Sequence, residues 1–138
     1  MSTVFVDTSV LLLAQGGPHP LREGCRLFLS RCQAQSVEIH VSVAALQEFT
    51  SHRLRARPRR QVLHEAALLR RGLVLHPFDE QVLDAMLTLL EGSDLGGRDA
   101  VHAATATVAG FDHLVTTDRD FTGVPGLTSV DPAEWLLD

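Results

Sequence analysis

Apolar residues run without a break through Val4-Phe5-Val6 and stop at Asp7, which is followed at once by Thr8 and Ser9. An unbroken apolar run suits a strand buried on both faces, so residues 3–7 are predicted as a first strand that carries a carboxylate to the rim of its sheet. Residues 10–13 then read as a short apolar helix, broken by Gly16-Gly17-Pro18-His19-Pro20. Helical spacing resumes over 21–33, with Leu21, Cys25, Leu29 and Cys32 on one face.

Residues 38–41 alternate as a second strand, and Ser42 is placed to cap the helix that carries Val43, Ala44, Leu46, Glu48 and Phe49. Pro58 opens a further helix with Val62, Leu63, Ala66, Ala67 and Leu69 as its apolar face, and Gly72 ends it. Residues 73–75 form a third strand stopped by His76-Pro77. Asp79 begins a helix whose buried stripe is Val82, Ala85, Met86, Leu89 and Leu90. After the Gly92–Gly97 loop, a helix over 98–109 is built almost wholly of small residues and can pack close to a sheet. Residues 113–116 and 127–130 supply a fourth and a fifth strand, and Trp135 with Leu136 and Leu137 anchors the C-terminus. Strands alternating with helices predict an α/β fold: a three-layer sandwich with a mostly parallel central sheet flanked by helices.

The length, 138 residues, and the 45% hydrophobic content suit one domain over 1–138 with a single substantial core. No apolar stretch reaches the ~20 residues of a membrane span and no leader is evident, so a soluble cytoplasmic protein is expected. Cys25 and Cys32, seven residues apart on a helix, would be separated by ~10.5 Å, too far for a disulfide, and read as core thiols. His40, His52, His64 and His76 recur evenly, but on a helix such spacing separates neighbours by ~18 Å, so it carries no zinc signature.

Charge changes the picture in two ways. The net charge of -5 argues against a general nucleic-acid binder, yet Arg53, Arg55, Arg57, Arg59 and Arg60 crowd into one stretch that can face phosphates locally. The chain has no lysine at all, which removes a P-loop lysine and Schiff-base chemistry.

The acids carry the chemistry. In a parallel α/β sheet the strand ends and the helix starts that follow them share one edge, where ligands bind. Asp7 and Asp118 end strands, Asp99 opens a helix, and Glu48 lies on the helix leaving the second strand. Asp before Thr or Ser also caps helices, and an acid in a first helical turn is stabilising without any ligand. Together, however, two carboxylates ~4 Å apart repel by roughly 4 kcal/mol at an effective dielectric of 20. A divalent cation relieves that repulsion, and an all-oxygen set selects Mg²⁺ or Mn²⁺. Acids holding a metal beside phosphate-binding arginines indicate phosphodiester hydrolysis.

Val6-Asp7-Thr8-Ser9-Val10-Leu11-Leu12, Leu46-Gln47-Glu48-Phe49, Arg98-Asp99-Ala100-Val101-His102-Ala103-Ala104 and Val115-Thr116-Thr117-Asp118-Arg119-Asp120-Phe121 resemble, in order and spacing, the acidic motifs of the PIN domain. Within it the resemblance is to the single-domain VapC toxins of bacterial VapBC pairs, over essentially the whole chain. The resemblance implies a PIN-like sandwich and an Mg²⁺- or Mn²⁺-dependent endoribonuclease toxin with RNA as substrate. It also implies that Asp7, Glu48, Asp99 and Asp118 bind metal, that the protein is a homodimer, and that a cognate VapB-type antitoxin occupies the site. Asp118 and Asp120 both qualify for the fourth position; Asp118 matches the acid directly after the strand and its threonines, and Asp120 is a further candidate ligand.

On this reading Glu48 acts as a ligand through water or orients the attacking water. Ser9 and Thr117 are candidate supporting residues, with Thr8 and Thr116 beside them. Arg53, Arg55, Arg57, Arg59 and Arg60 are candidate RNA contacts, and His102 reads as a helix-face residue. A phospho-acceptor enzyme with an aspartyl nucleophile is disfavoured by the missing lysine. An inactive RNA- or partner-binding module of the same fold is the alternative.

Overall fold

The computed structural model describes residues 2–135. Its elements in order are β1 (Thr3–Phe5), α1 (Thr8–Gln15), α2 (Arg22–Ala34), β2 (Glu38–Ser42), α3 (Val43–Leu54), α4 (Arg59–Gly72), β3 (Val74–His76), α5 (Glu80–Glu91), α6 (Gly97–Val108), β4 (His113–Val115), a 3-10 turn (Arg119–Phe121) and β5 (Thr128–Val130).

β2 lies between β1 and β3, β4 pairs with β5, and all these pairings are parallel. A single parallel bridge from Val6 to Val115 joins the two groups, giving the order β3-β2-β1-β4-β5. The first strand is therefore shorter than its apolar run suggests. Beyond Phe5 the chain exchanges its β2 partner for β4: the Val6 amide still donates to the His40 carbonyl, whereas the Asp7 amide donates to the Val115 carbonyl, each at 2.9 Å. Strand order reverses at β1 and β4, and a reversal of this kind opens a crevice at the strand ends.

Each residue of the first apolar run has its own core to fill. Val4 and Val6 pack with Val41, with Val10 and Leu11 of α1, with Cys25, Phe28 and Cys32 of α2 and with Ala45 and Phe49 of α3. Phe5 faces the other way, onto Leu114, Phe121 and the small residues Ala100, Ala103 and Ala106 of α6, with Met86, Leu89 and Leu90 of α5 at the margin. Helices thus cover both faces of the sheet, as the three-layer expectation requires.

Local signals set the helix starts. The Ser42 hydroxyl accepts from the Ala45 amide at 2.9 Å, and the Asp79 carboxylate accepts from the Val82 amide at 3.0 Å. Pro58 precedes α4 by one residue. Cys25 and Cys32 are buried free thiols, pushed up to about 11 chiefly by burial, which keeps them protonated and inert. The Trp135 ring lies tilted against the His113 ring with centroids 4.7 Å apart; Leu136 and Leu137, the rest of the expected C-terminal anchor, lie outside the described residues.

The histidine spacing needs correction. His40 and His76 lie on adjacent strands rather than along one helix, so their ring nitrogens meet at 2.8 Å, and His40 also reaches Glu38 at 2.6 Å. The ~18 Å helical separation does not apply to that pair.

Candidate active site

The strand reversal brings Asp7 and the Thr116-Thr117-Asp118 segment side by side. Asp7 is buried at 4% exposure. It begins α1, its carboxylate accepting from the Ser9 amide at a long 3.4 Å, and the same oxygen accepts from the Thr116 hydroxyl at 2.9 Å. Thr116 Oγ1 in turn accepts from the Asp118 amide at 3.0 Å. Because the Thr116 proton goes to Asp7, the Ser9 hydroxyl, 3.3 Å away, is the donor to Thr116 Oγ1; Ser9 Oγ also accepts from the Thr117 amide at 3.2 Å. Ser9 therefore ties α1 to the loop after β4. Thr117 enters this network through its backbone.

Asp118 caps the 3-10 turn, accepting from the Asp120 amide at 2.9 Å, and this turn swings Asp120 back toward the site. Oxygen atoms of Asp99, Asp118 and Asp120 all lie within 4.8 Å of one another. Both acids competing for the fourth position are thus in the group. Asp99 is pushed up to about 6, first by burial and then by the charges of Asp118 and Asp7. An acid in the first turn of a helix is normally favoured as the anion, so here burial and crowding outweigh the helix end. An all-oxygen cluster under such repulsion is the donor set a hard divalent cation takes.

Glu48 and Asp7 stand outside that 4.8 Å group. Glu48 is occupied by the protein itself: Oε1 accepts from His102 Nε2 at 2.5 Å and from the Thr8 hydroxyl at 3.1 Å, and Oε2 accepts from Arg98 at 2.8 Å. The His102 hydrogen bond is the main reason its carboxyl is lowered to about 2. His102 itself is buried at 2% exposure, so it is an interior member of the site and not merely a residue of the helix face. Its place was readable: His102 follows Asp99 by three residues, and positions three apart share a helix face. Arg98 was not singled out from the sequence, and its contact with Glu48 joins residues fifty apart that only the tertiary fold brings together.

The arginine cluster divides. Arg55, Arg57, Arg59 and Arg60 are exposed at the α3–α4 corner. Arg53 is not part of that basic surface: its guanidinium is buried against the Glu65 carboxylate in a two-pronged pair of 2.9 and 3.0 Å, with Gln61 on the same acid. A side chain buried and paired in this way is withdrawn from any phosphate at the surface. A hollow of about 570 Å³ bounded by Ser9, Leu13, Gly17, His52, Thr117 and Asp118 leads from the acids along α1 to α3.

A family model described as PIN domain matches residues 4–127. The chain belongs to the PIN domain family. It is 32% identical over 136 residues to Ribonuclease VapC7 of Mycobacterium tuberculosis, covering 94% of this chain and 91% of that one. Ribonuclease VapC23 of the same organism is 31% identical, over 84% of this chain and 93% of that one. Among solved structures, VapBC2 from Rickettsia felis bound to a DNA fragment from its promoter superposes with a TM-score of 0.74 at 18% identity, covering 94% and 98% of the two chains. Mycobacterium tuberculosis VapC20, described as a Sarcin-Ricin loop cleaving toxin, gives 0.71 at 17% identity over 88% and 95%. These structures establish the PIN fold of this chain. Among the described residues of this PIN domain, no helix is long and apolar enough to cross a membrane.

Proposed function

We propose that this PIN domain is a divalent-metal-dependent endoribonuclease toxin that hydrolyses RNA phosphodiester bonds in the cytoplasm and is held in check by a cognate antitoxin. The observation that carries this reading is the close grouping of Asp99, Asp118 and Asp120 at the reversal of strand order, with burial, the Asp118 charge and the charge of the neighbouring Asp7 together pushing Asp99 up to about 6. The relatives' names as ribonucleases support the nuclease part, and the toxin-antitoxin systems among the structural neighbours support the antitoxin part. Homodimerisation is part of the same reading.

Asp7, Asp99 and Asp118 would hold Mg²⁺ or Mn²⁺, with Asp120 within reach of the same cation or a second one. The chemistry such a cation supplies when bound is charge neutralisation at the phosphate and a lowered pKa for a nearby water. The residues do the rest. Thr116 and Ser9 hold the Asp7 carboxylate and the Asp118 backbone in register, so that little reorganisation is needed on binding. Glu48 orients the attacking water or holds it at the edge of the acid group. Hydrolysis forms a bond from the water oxygen to phosphorus and breaks one P–O bond to ribose, the leaving oxygen taking up a proton. Arg55, Arg57, Arg59 and Arg60, exposed at the α3–α4 corner, guide the RNA backbone.

Purified antitoxin-free protein incubated with total cellular RNA and Mg²⁺ or Mn²⁺ should give discrete fragments that EDTA prevents. Intact RNA with both metals, from protein shown to be folded and metal-binding, would contradict the enzymatic reading and leave a binding module.

A further inference from the structure

Glu48 is the one acid of the set with both oxygens engaged by side chains of the protein, and the two engagements differ in kind. Its Oε1 partners are interior. His102 is 2% exposed and Thr8 is 5% exposed. The Oε2 partner, Arg98, has a side chain 83% exposed and is held by one contact of 2.8 Å. An exposed ion pair of this sort contributes little and exchanges readily for another anion. A buried hydrogen-bonded pair does not, because releasing either member leaves a polar group unsatisfied in the interior.

The orientation of the His102 ring is fixed from behind. Ser42 Oγ accepts from the Ala45 amide as the cap of α3, and it lies 2.7 Å from His102 Nδ1. Nε2 faces a carboxylate, which only accepts, so Nε2 carries a proton, while the Ser42 hydroxyl holds the opposite edge of the ring at Nδ1. His102 thereby links the cap of α3 to Glu48 further along the same helix, from its seat on α6.

Resting on the ribonuclease reading above, we infer that His102 is a positioning residue that commits Glu48 Oε1 to the protein interior and leaves Oε2, behind displaceable Arg98, as the only oxygen Glu48 presents to the acid pocket. Glu48 then acts through one defined oxygen instead of rotating between two. Arg98 would yield that oxygen to a divalent cation held by the neighbouring acids, directly or through a water.

Two substitutions of similar size separate positioning from mere packing. In H102Q the amide nitrogen can take the place of Nε2 and keep the bond to Glu48; H102N can reach only Ser42. Manganese affinity of the antitoxin-free protein, read by calorimetry, should fall at least tenfold in H102N and stay within about threefold of wild type in H102Q. kcat should follow the same order with KM little changed. E48Q and the double variant E48Q/H102N should bind manganese equally weakly, since His102 acts through Glu48. Thermal melts without metal verify folding of each variant. Equal affinity in H102N and wild type, equal losses in H102N and H102Q, or additive losses in the double variant would each overturn the inference. Wild-type cleavage is scored separately: its absence would strike the ribonuclease reading, while the manganese comparison would still decide the role of His102.

Discussion

The Thr116 hydroxyl donates to Asp7 Oδ2 at 2.9 Å while accepting the Asp118 amide at 3.0 Å, so one side chain clamps together the ends of two strands that share a single bridge. Asp7 is buried, and a buried carboxyl group deprived of its donor suffers an uncompensated desolvation cost of about 1–3 kcal/mol. T116V should therefore lower stability to urea by that order and reduce cleavage more than tenfold, while T116S retains both. Equal cleavage by T116V and wild type would show that the clamp is dispensable.

The buried Arg53–Glu65 pair and the exposed arginines should separate in experiment. Removing one partner of a buried pair strands the other charge, so R53M should destabilise the fold by about 3 kcal/mol with no change in the salt dependence of RNA binding. Replacing Arg55, Arg57, Arg59 and Arg60 by glutamine should leave the urea midpoint nearly unchanged. That variant should flatten the plot of log affinity against log salt, by about 0.7 for each phosphate that is no longer neutralised. An unchanged slope would remove the corner from the RNA path.

Acid dependence of the metal-free protein isolates Asp99. Its carboxyl sits at about 6 in the folded chain against an ordinary 3.8, so between those values the folded state binds more protons than the unfolded state. Stability from this group therefore rises as pH falls through about 6, and is complete below 3.8. Glu48 has the opposite sign: lowered to about 2 from 4.5, it supports the fold above 4.5 and loses that support as pH falls through about 2. In EDTA, D99N should melt higher than wild type at pH 7.5, with the advantage shrinking toward pH 4.5. Added Mn²⁺ should raise the wild-type melting temperature more than that of D99N. A D99N advantage that does not vary with pH would refute the crowding of Asp99.

Much of this architecture is written in local patterns. Val4-Phe5-Val6 is apolar at every position because its residues alternate between two cores, and the alanines of α6 mark where a helix lies close on the sheet. Ser42 and Asp79 announce their helices through capping chemistry. Asp7, Asp99 and Asp118 are marked out by their positions at strand and helix ends, and the fold brings them to one edge. What local pattern does not carry is lateral pairing. The change of partner from β2 to β4 between Val6 and Asp7, the contact of His40 with His76 and the capture of Arg53 by Glu65 depend on which segments lie side by side. Glu48 is the instructive case, since its spacing places it near the site but only the packing of α6 on β2 and α3 turns it toward His102 and Arg98.

The most direct test of the central claim compares wild type with D7N, both antitoxin-free, on total cellular RNA with Mn²⁺, with the fragments end-mapped. Asn keeps the size of the side chain and can still accept from Thr116, so D7N should fold as wild type does. The expected result is discrete cleavage by wild type, abolished by EDTA and reduced at least a thousandfold in D7N. Undiminished, metal-dependent cleavage by folded D7N would contradict the assignment of the acid cluster as the catalytic centre.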